Sequence, residues 1–164
     1  MAKNKEEKTN VMRLLEQKKI PYTPHTYPHG EGDPTDGVSV AASLGQEPAR
    51  VFKTLVTRGA SGGFYVFDIP VAENLDLKKA ARAVGEKSVA MIAQKELLPL
   101  TGYVHGGCSP LGMKKQFPTV FHETAAGFET VLVSAGKIGF QAECRPGDLL
   151  KLLGAKTADL TVNE

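Results

Sequence analysis

Two β-rich runs on either side of a small-residue turn constrain the fold of this chain more than any other feature. The first run, VFKTLVTR, covers residues 51–58, and the second, FYVFDIP, covers residues 64–70. Between them, GASGG at residues 59–63 supplies the glycines that a tight turn favours. Strands joined this closely pair antiparallel, so the sequence predicts a β-hairpin near the middle of the chain.

The remaining elements do not follow the regular strand–helix–strand order of a parallel sheet. Helices are predicted from apolar periodicity and end signals at residues 6–18, 37–45, 75–85, 93–100 and 145–154. Further strands are predicted at residues 22–27, 88–92, 119–123, 130–136, 137–144 and 156–161. Pro99 is expected to break the fourth helix, and Pro24 to place the first strand at a sheet edge.

This order predicts an α+β fold with a largely antiparallel, curved sheet partly covered by helices. The 164 residues, of which 41% are hydrophobic, suit one domain over residues 1–164 with a buried core. Residues 1–8 are polar and charged, and we expect them to be frayed.

Charge and apolar patterning restrict the class of protein. The net charge of +2, from 20 basic and 18 acidic residues, is too balanced to indicate nucleic acid by itself. No apolar run approaches the roughly 20 residues that span a membrane, and the N-terminus lacks the apolar centre of a secretion signal. We therefore expect a cytoplasmic protein with no membrane partner and, in Cys108 and Cys144, two free thiols.

Motifs for the common cofactor and metal sites are incomplete. SAGKIG at residues 134–139 lacks both the first glycine and the final serine or threonine of a phosphate-binding P-loop. His25 and His29 are four residues apart, but Pro24 and Pro28 disfavour the helix that would place them on one face. We therefore expect no metal and no cofactor.

The stretch GGCSPLGMKK, residues 106–115, leaves more than one role open. Cys108 follows His105 by three residues and lies among backbone amides that lower a thiol pKa, but a packed, unreactive residue is favoured. Ser109 has only one of the two glycines of a nucleophile elbow. The other interpretation is a loop whose backbone N–H groups bind a substrate oxygen, without a nucleophile from the protein.

Five segments together carry a family resemblance: HTYPH (25–29), VFKTLV (51–56), LDLKKAARAVG (75–85), TGYVHGGCSPLGMKK (101–115) and VLVSAGKIG (131–139). From about residue 9 to 160 the chain resembles the YbaK-type aminoacyl-tRNA editing domains, relatives of the editing domain of bacterial prolyl-tRNA synthetase. The resemblance implies a mixed, mostly antiparallel, barrel-like sheet flanked by helices. It also implies a deacylase that removes a wrong amino acid from tRNA in trans.

The resemblance also implies site residues at the positions that match the family's motifs. The catalytic positions it implies are Lys53, in the F-K-T element, and Gly106, in the G-G-x-S-P element. The substrate-binding positions it implies are Tyr27, Thr54, Gly107, Ser109, Ser134 and Gly136. The lysines expected near the tRNA backbone are Lys114, Lys115 and Lys137.

Two of these residues have a second interpretation. Lys53 lies in an apolar strand, where a lysine is costly to bury unless it meets an anionic partner such as the acceptor end of tRNA. The alternative is a lysine on the exposed face of a half-buried strand. Tyr27 either stacks on the terminal adenine or is an edge-strand core tyrosine.

For the YbaK branch the resemblance implies removal of cysteine from tRNA for proline, with the substrate's own thiol attacking the ester. The partner is then the mischarged acceptor end, with prolyl-tRNA synthetase as a candidate third member of the complex. Two positions depart from the family pattern: Ala135, expected to narrow the pocket, and Gln141, which replaces an aspartate. The alternatives are a deacylase for alanyl or another small aminoacyl-tRNA, and a non-catalytic module that binds tRNA or a synthetase.

Overall fold

The computed structural model describes residues 8–163. The helices within them are α1 (Asn10–Gln17), α2 (Gly37–Ser43), α3 (Leu77–Val84), α4 (Gln94–Thr101) and α5 (Pro146–Leu153). The strands are β1 (Thr23–Thr26), β2 (Phe52–Gly59), β3 (Phe64–Pro70), β4 (Val89–Met91), β5 (Thr119–His122), β6 (Val131–Ser134), β7 (Phe140–Cys144) and β8 (Lys156–Ala158). The predicted fraying of residues 1–8 and the predicted helix start at residue 6 fall mostly outside the described residues.

The strands form two sheets, where the sequence suggested one. The smaller sheet has the order β1-β7-β6 and is antiparallel throughout. The larger sheet has the order β4-β2-β3-β5-β8, with antiparallel pairing around β2 and parallel pairing of β5 with β3 and β8. An isolated parallel bridge between Val51 and Leu132 joins the sheets, and the main core packs between them. The α+β class and the mostly antiparallel pairing are confirmed.

Helix ends follow the capping residues, while one predicted break is wrong. α1 begins at Asn10 because the Thr9 side chain accepts a hydrogen bond from the backbone N–H of Met12. α4 continues through Pro99 and ends at Gly102. Pro99 lacks the N–H that would donate to the carbonyl of Lys95, but the helical bonding continues beyond it, since the N–H of Gly102 donates to the carbonyl of Leu98 at 2.8 Å.

The central hairpin positions the site because one edge of β2 is only partly paired. β4 pairs with β2 at Thr57, Arg58 and Gly59, and β3 pairs along the whole length of β2. The first half of β2 therefore borders an opening between the two sheets. No helix in residues 8–163 is long and apolar enough to cross a membrane.

Candidate active site

A cavity of about 530 Å³ lies along the first half of β2. Its apolar wall includes Val38 and Val40 of α2 and Met91, Ile92 and Leu97 around β4 and α4. Polar side chains that reach it come from β2, the 101–115 loop and the smaller sheet: Lys53, Thr54, His105, Cys108, Ser134 and Gln141. A volume of this size suits the aminoacyl end of a larger ligand.

Lys53 brings a cation to this cavity without a fixed partner. Its side chain is partly buried, and no described residue forms a hydrogen bond or ion pair with it. Burial lowers the pKa of Lys53, and the charge of Glu73 raises it by a smaller amount. The ammonium group is therefore available to an anionic or oxygen-rich ligand, as the functional interpretation of this lysine expects.

Thr54, the next predicted site residue, is hydrogen-bonded to a buried acid that the sequence patterns did not indicate. Its Oγ1 lies 2.5 Å from Oδ1 of Asp68, its cross-strand partner on β3. Asp68 is completely buried, and burial raises the pKa of its carboxyl group to about 8. The sequence did contain a signal for this residue, because aspartate is uncommon in β-strands and Asp68 lies inside the apolar run FYVFDIP.

Gly106, the second residue predicted to be catalytic, lies at the cavity wall, and its catalytic role stays a prediction. It is exposed, lines the cavity and has a φ of +93°. No described residue accepts a hydrogen bond from its N–H. The amide can therefore donate to a ligand oxygen.

Two neighbours in the same loop, Gly107 and Ser109, do not line the cavity, and their substrate-binding role stays a prediction. Gly107 is buried, and its N–H donates to the carbonyl of Val104, 3.0 Å away. Ser109 is fully buried, and its hydroxyl accepts a hydrogen bond from the N–H of Leu111. Both residues shape the turn that presents Gly106.

The SAGK segment, residues 134–137, also contains one predicted binding residue that lines the cavity and one that does not. Ser134 lines the cavity, and its hydroxyl accepts a hydrogen bond from the N–H of Gly136 at 3.1 Å. Gly136 lies outside the cavity wall, packed against α1 and Tyr103, and its binding role stays a prediction. Ala135 is fully buried and also outside the wall, so its methyl group does not narrow the pocket as expected.

Tyr27 and Gln141 complete the wall beside the smaller sheet. Tyr27 is only 5% exposed. This burial agrees with the interpretation of Tyr27 as a core residue and leaves little of its ring available to stack on a base. Gln141 is 7% exposed and its Oε1 has no hydrogen-bond partner among the described residues. Gln141 therefore offers this cavity a neutral amide.

The three lysines predicted near tRNA are exposed and lie outside the cavity wall. The backbone of Lys137 packs against Gly107, the neighbour of Gly106. Its Nζ lies 5.4 Å from the centre of the Phe140 ring. Lys114 reaches towards the carbonyl of Pro99, at 3.5 Å. Their contact with tRNA stays a prediction.

Cys108 lines the cavity, but its surroundings oppose a nucleophilic role. Burial and the nearby carboxyl group of Asp68 raise the pKa of the thiol to about 12, although a hydrogen bond with Thr101 lowers it. No described hydrogen bond joins it to His105. The reactive form of a cysteine is the thiolate, so this thiol is nearly inert at neutral pH.

Replacing Cys108 by alanine is therefore expected to leave the deacylation that the family resemblance implies within about threefold of the wild-type rate, the loss reflecting small packing changes. Initial rates with Cys-tRNA(Pro) provide the measurement, and Cys144→Ala, which changes a buried thiol away from the cavity, is the matched control. An inactive Cys108→Ala protein with native stability would restore the nucleophilic interpretation.

Comparison with known proteins identifies the family. The sequence matches the aminoacyl-tRNA editing domain family over residues 35–152. The chain belongs to this family. It is 48% identical, over the full length of both chains, to the Enterococcus faecalis protein named "Putative Cys-tRNA(Pro)/Cys-tRNA(Cys) deacylase EbsC". The family and fold predicted from the sequence are thus confirmed.

Solved structures agree with this assignment. The structure described as a "putative trans-editing enzyme for prolyl tRNA synthetase" is 28% identical, with a TM-score of 0.79 over 93% of this chain and 95% of that one. A protein described as hypothetical, 22% identical, shares the fold with a TM-score of 0.83 over 93% of this chain and 99% of that one. Within residues 8–163 no group of three or more His, Cys, Asp or Glu residues is placed to hold a metal ion.

Proposed function

We propose that residues 1–164 act as one trans-editing hydrolase domain that deacylates tRNA for proline mischarged with cysteine. The observation that carries the proposal is that Lys53 and Gly106 line the same cavity of an editing domain. Among the described residues, neither the Lys53 ammonium group nor the Gly106 N–H has a hydrogen-bond partner. These groups bind oxygen atoms and supply no nucleophile. The full-length identity to a protein named as a Cys-tRNA(Pro)/Cys-tRNA(Cys) deacylase supports the choice of substrate.

In the proposed reaction the substrate provides the attacking atom. The cysteinyl sulfur attacks its own carbonyl carbon, a C–S bond forms and the bond to the ribose oxygen breaks. The thiol proton goes to that ribose oxygen, and water then hydrolyses the cyclic thioester to free cysteine. Holding sulfur and carbonyl in reactive geometry is the largest contribution that the cavity makes.

Protein groups act on the oxygen atoms of this substrate. The Gly106 N–H donates to the carbonyl oxygen, whose negative charge grows as sulfur attacks. Lys53 stabilises the departing ribose oxygen or the adjacent phosphate. Their action needs no titration of Cys108, in agreement with the raised pKa of that thiol.

The partner is a mischarged tRNA acceptor end, and the reaction takes place in the cytoplasm. Near-neutral charge gives only weak attraction to the tRNA backbone, so presentation by prolyl-tRNA synthetase in a ternary complex would increase turnover. Adding catalytically inactive synthetase to a deacylation assay at limiting tRNA tests this part of the proposal. An unchanged rate would contradict it.

Ester loss from Cys-tRNA(Pro) and Ala-tRNA(Pro), measured with and without the protein, tests the function. Selective loss of the cysteinyl ester is expected. Preferential loss of the alanyl ester would move the protein to a branch that removes small amino acids. No loss of either ester, with tRNA still bound, would favour the non-catalytic module.

A further inference from the structure

Asp68 has an unusual position behind the cavity. Its side chain is completely buried, yet only Oδ1 has a partner, the hydroxyl group of Thr54. Oδ2 is buried with no hydrogen-bond partner among the described residues. An ionised carboxylate with an unpartnered oxygen is costly to bury, and burial raises the pKa of Asp68 to about 8. Near neutral pH this group is therefore an acid with a proton to donate.

No titratable group on the surrounding elements, within residues 8–163, pairs with Asp68 to neutralise the negative charge of its ionised form. The titratable groups on those elements are Cys108 on the 101–115 loop, Lys53 on β2 and His122 on β5. None forms a hydrogen bond or ion pair with Asp68 in residues 8–163. The His122 ring instead accepts a hydrogen bond from the N–H of Leu160, and the Cys108 thiol is itself uncharged at neutral pH.

Thr54 connects this buried acid to the ligand space. Thr54 lines the cavity and shares one face of β2 with Phe52 and Val56, which also line it, and its hydroxyl group has a single hydrogen. When Asp68 is ionised, that hydrogen must point to Oδ1, and the cavity meets only oxygen lone pairs. When Asp68 is neutral, its own proton can be donated to Oγ1 of Thr54, which frees the threonine hydrogen for an oxygen atom in the cavity.

We propose that Asp68 is a positioning residue of the editing reaction, whose neutral carboxyl group turns the Thr54 hydroxyl into a hydrogen-bond donor towards the bound aminoacyl ester. The proposal rests on the function proposed above and adds a residue to its site. A substrate oxygen completes the chain from Asp68 through Thr54, because it accepts the threonine hydrogen that the neutral acid leaves free.

The test compares kcat and KM for Cys-tRNA(Pro) in the wild type and Asp68→Asn from about pH 6.5 to pH 9.5. The amide introduced by Asp68→Asn donates to Thr54 at every pH, so this variant keeps the threonine hydrogen free throughout the range. Uncatalysed ester loss is subtracted, and titration of the substrate thiol cancels in the ratio of the two proteins. Asp159→Asn, which changes an exposed aspartate paired with Lys79, is the matched control.

With a carboxyl pKa of about 8, only about a tenth of Asp68 is neutral at pH 9. The ratio of wild-type to Asp68→Asn kcat is therefore expected to fall about 10-fold between pH 7 and pH 9, while KM changes little. The ratio of wild-type to Asp159→Asn should stay constant. A constant wild-type to Asp68→Asn ratio would overturn the proposal.

Thr54 variants keep the test decisive if Asp68→Asn does not fold. Thr54→Ser retains the hydroxyl and should retain the alkaline loss of kcat, whereas Thr54→Val removes the hydroxyl and should abolish it. Equal pH profiles for the two variants would contradict a relay through Thr54. Wild-type protein that is inactive on Cys-tRNA(Pro) at every pH would instead overturn the proposed function, and this addition with it.

An unfolding experiment tests the neutral state of Asp68 without reference to activity. Its pKa is raised from 3.8 when unfolded to about 8 when folded, so the folded protein holds a proton that the unfolded chain has lost. Stability from this group must fall as pH rises from about 4 to 8. The melting temperature of the wild type should therefore fall relative to Asp68→Asn across this window. A constant difference between the two would contradict the neutral acid.

Discussion

Replacing Lys53 by alanine is expected to reduce the kcat/KM for Cys-tRNA(Pro) by at least about 100-fold, the loss typical of removing one charge-stabilising group. The side chain has no described hydrogen-bond or ion-pair partner, so its truncation breaks no interaction that holds the fold. Burial already lowers the pKa of Lys53, so stability should be unchanged or slightly higher. The measurement is the initial rate of ester loss, with the melting temperature measured on the same preparation.

Two further variants make this result specific. Lys151→Ala removes an exposed lysine of α5 that lies outside the cavity wall and should retain most of the activity. Lys53→Arg keeps the charge but changes its shape, so a partial loss is expected. Wild-type activity in Lys53→Ala would contradict the site assignment.

The second large effect is expected on stability, from Gly136→Ala. Gly136 has a φ of +92°, and an added Cβ would lie 2.7 Å from Oδ1 of Asn10 and 3.0 Å from Cγ2 of Val11. Backbone strain and overpacking act together here, and about 2–4 kcal/mol of unfolding free energy should be lost. Urea unfolding at neutral pH measures the loss.

Gly62→Ala separates the two causes. Gly62 has a φ of +98°, but nothing lies within 4 Å of the position of its added Cβ. The control therefore carries only the backbone strain and should lose about 1 kcal/mol. If Gly136→Ala unfolded like the wild type and lost activity instead, Gly136 would be a binding residue after all.

Local signals allowed much of the fold to be predicted. The hairpin of β2 and β3 and the third helix, capped by Asp76 and closed by Gly85, occur where sequence patterns indicated them. These elements depend on neighbouring residues, so a single sequence contains their cause. The division into two sheets depends on contacts distant in sequence, which periodicity does not report.

Motif matching was less able to separate ligand-binding residues from residues that shape the loops. Gly106 and Gly107 are adjacent and identical, but Gly106 lines the cavity with no described acceptor for its N–H, while the Gly107 N–H donates to the carbonyl of Val104. The motif contains both residues, and each has a different physical role. Asp68 shows the opposite case. It lies in none of the five segments that carry the family resemblance, and the role proposed for it follows from its complete burial and its hydrogen bond with Thr54.

The central claim is that the substrate supplies its own nucleophile, and the most direct measurement is the rate of ester loss from Cys-tRNA(Pro) and Ser-tRNA(Pro). The two esters differ in one atom, sulfur or oxygen. A serine hydroxyl is a far weaker nucleophile than a thiol near neutral pH, since so little of it ionises. The account predicts that the cysteinyl ester is lost at least about 100-fold faster than the seryl ester. Comparable enzymatic rates for the two esters would contradict it.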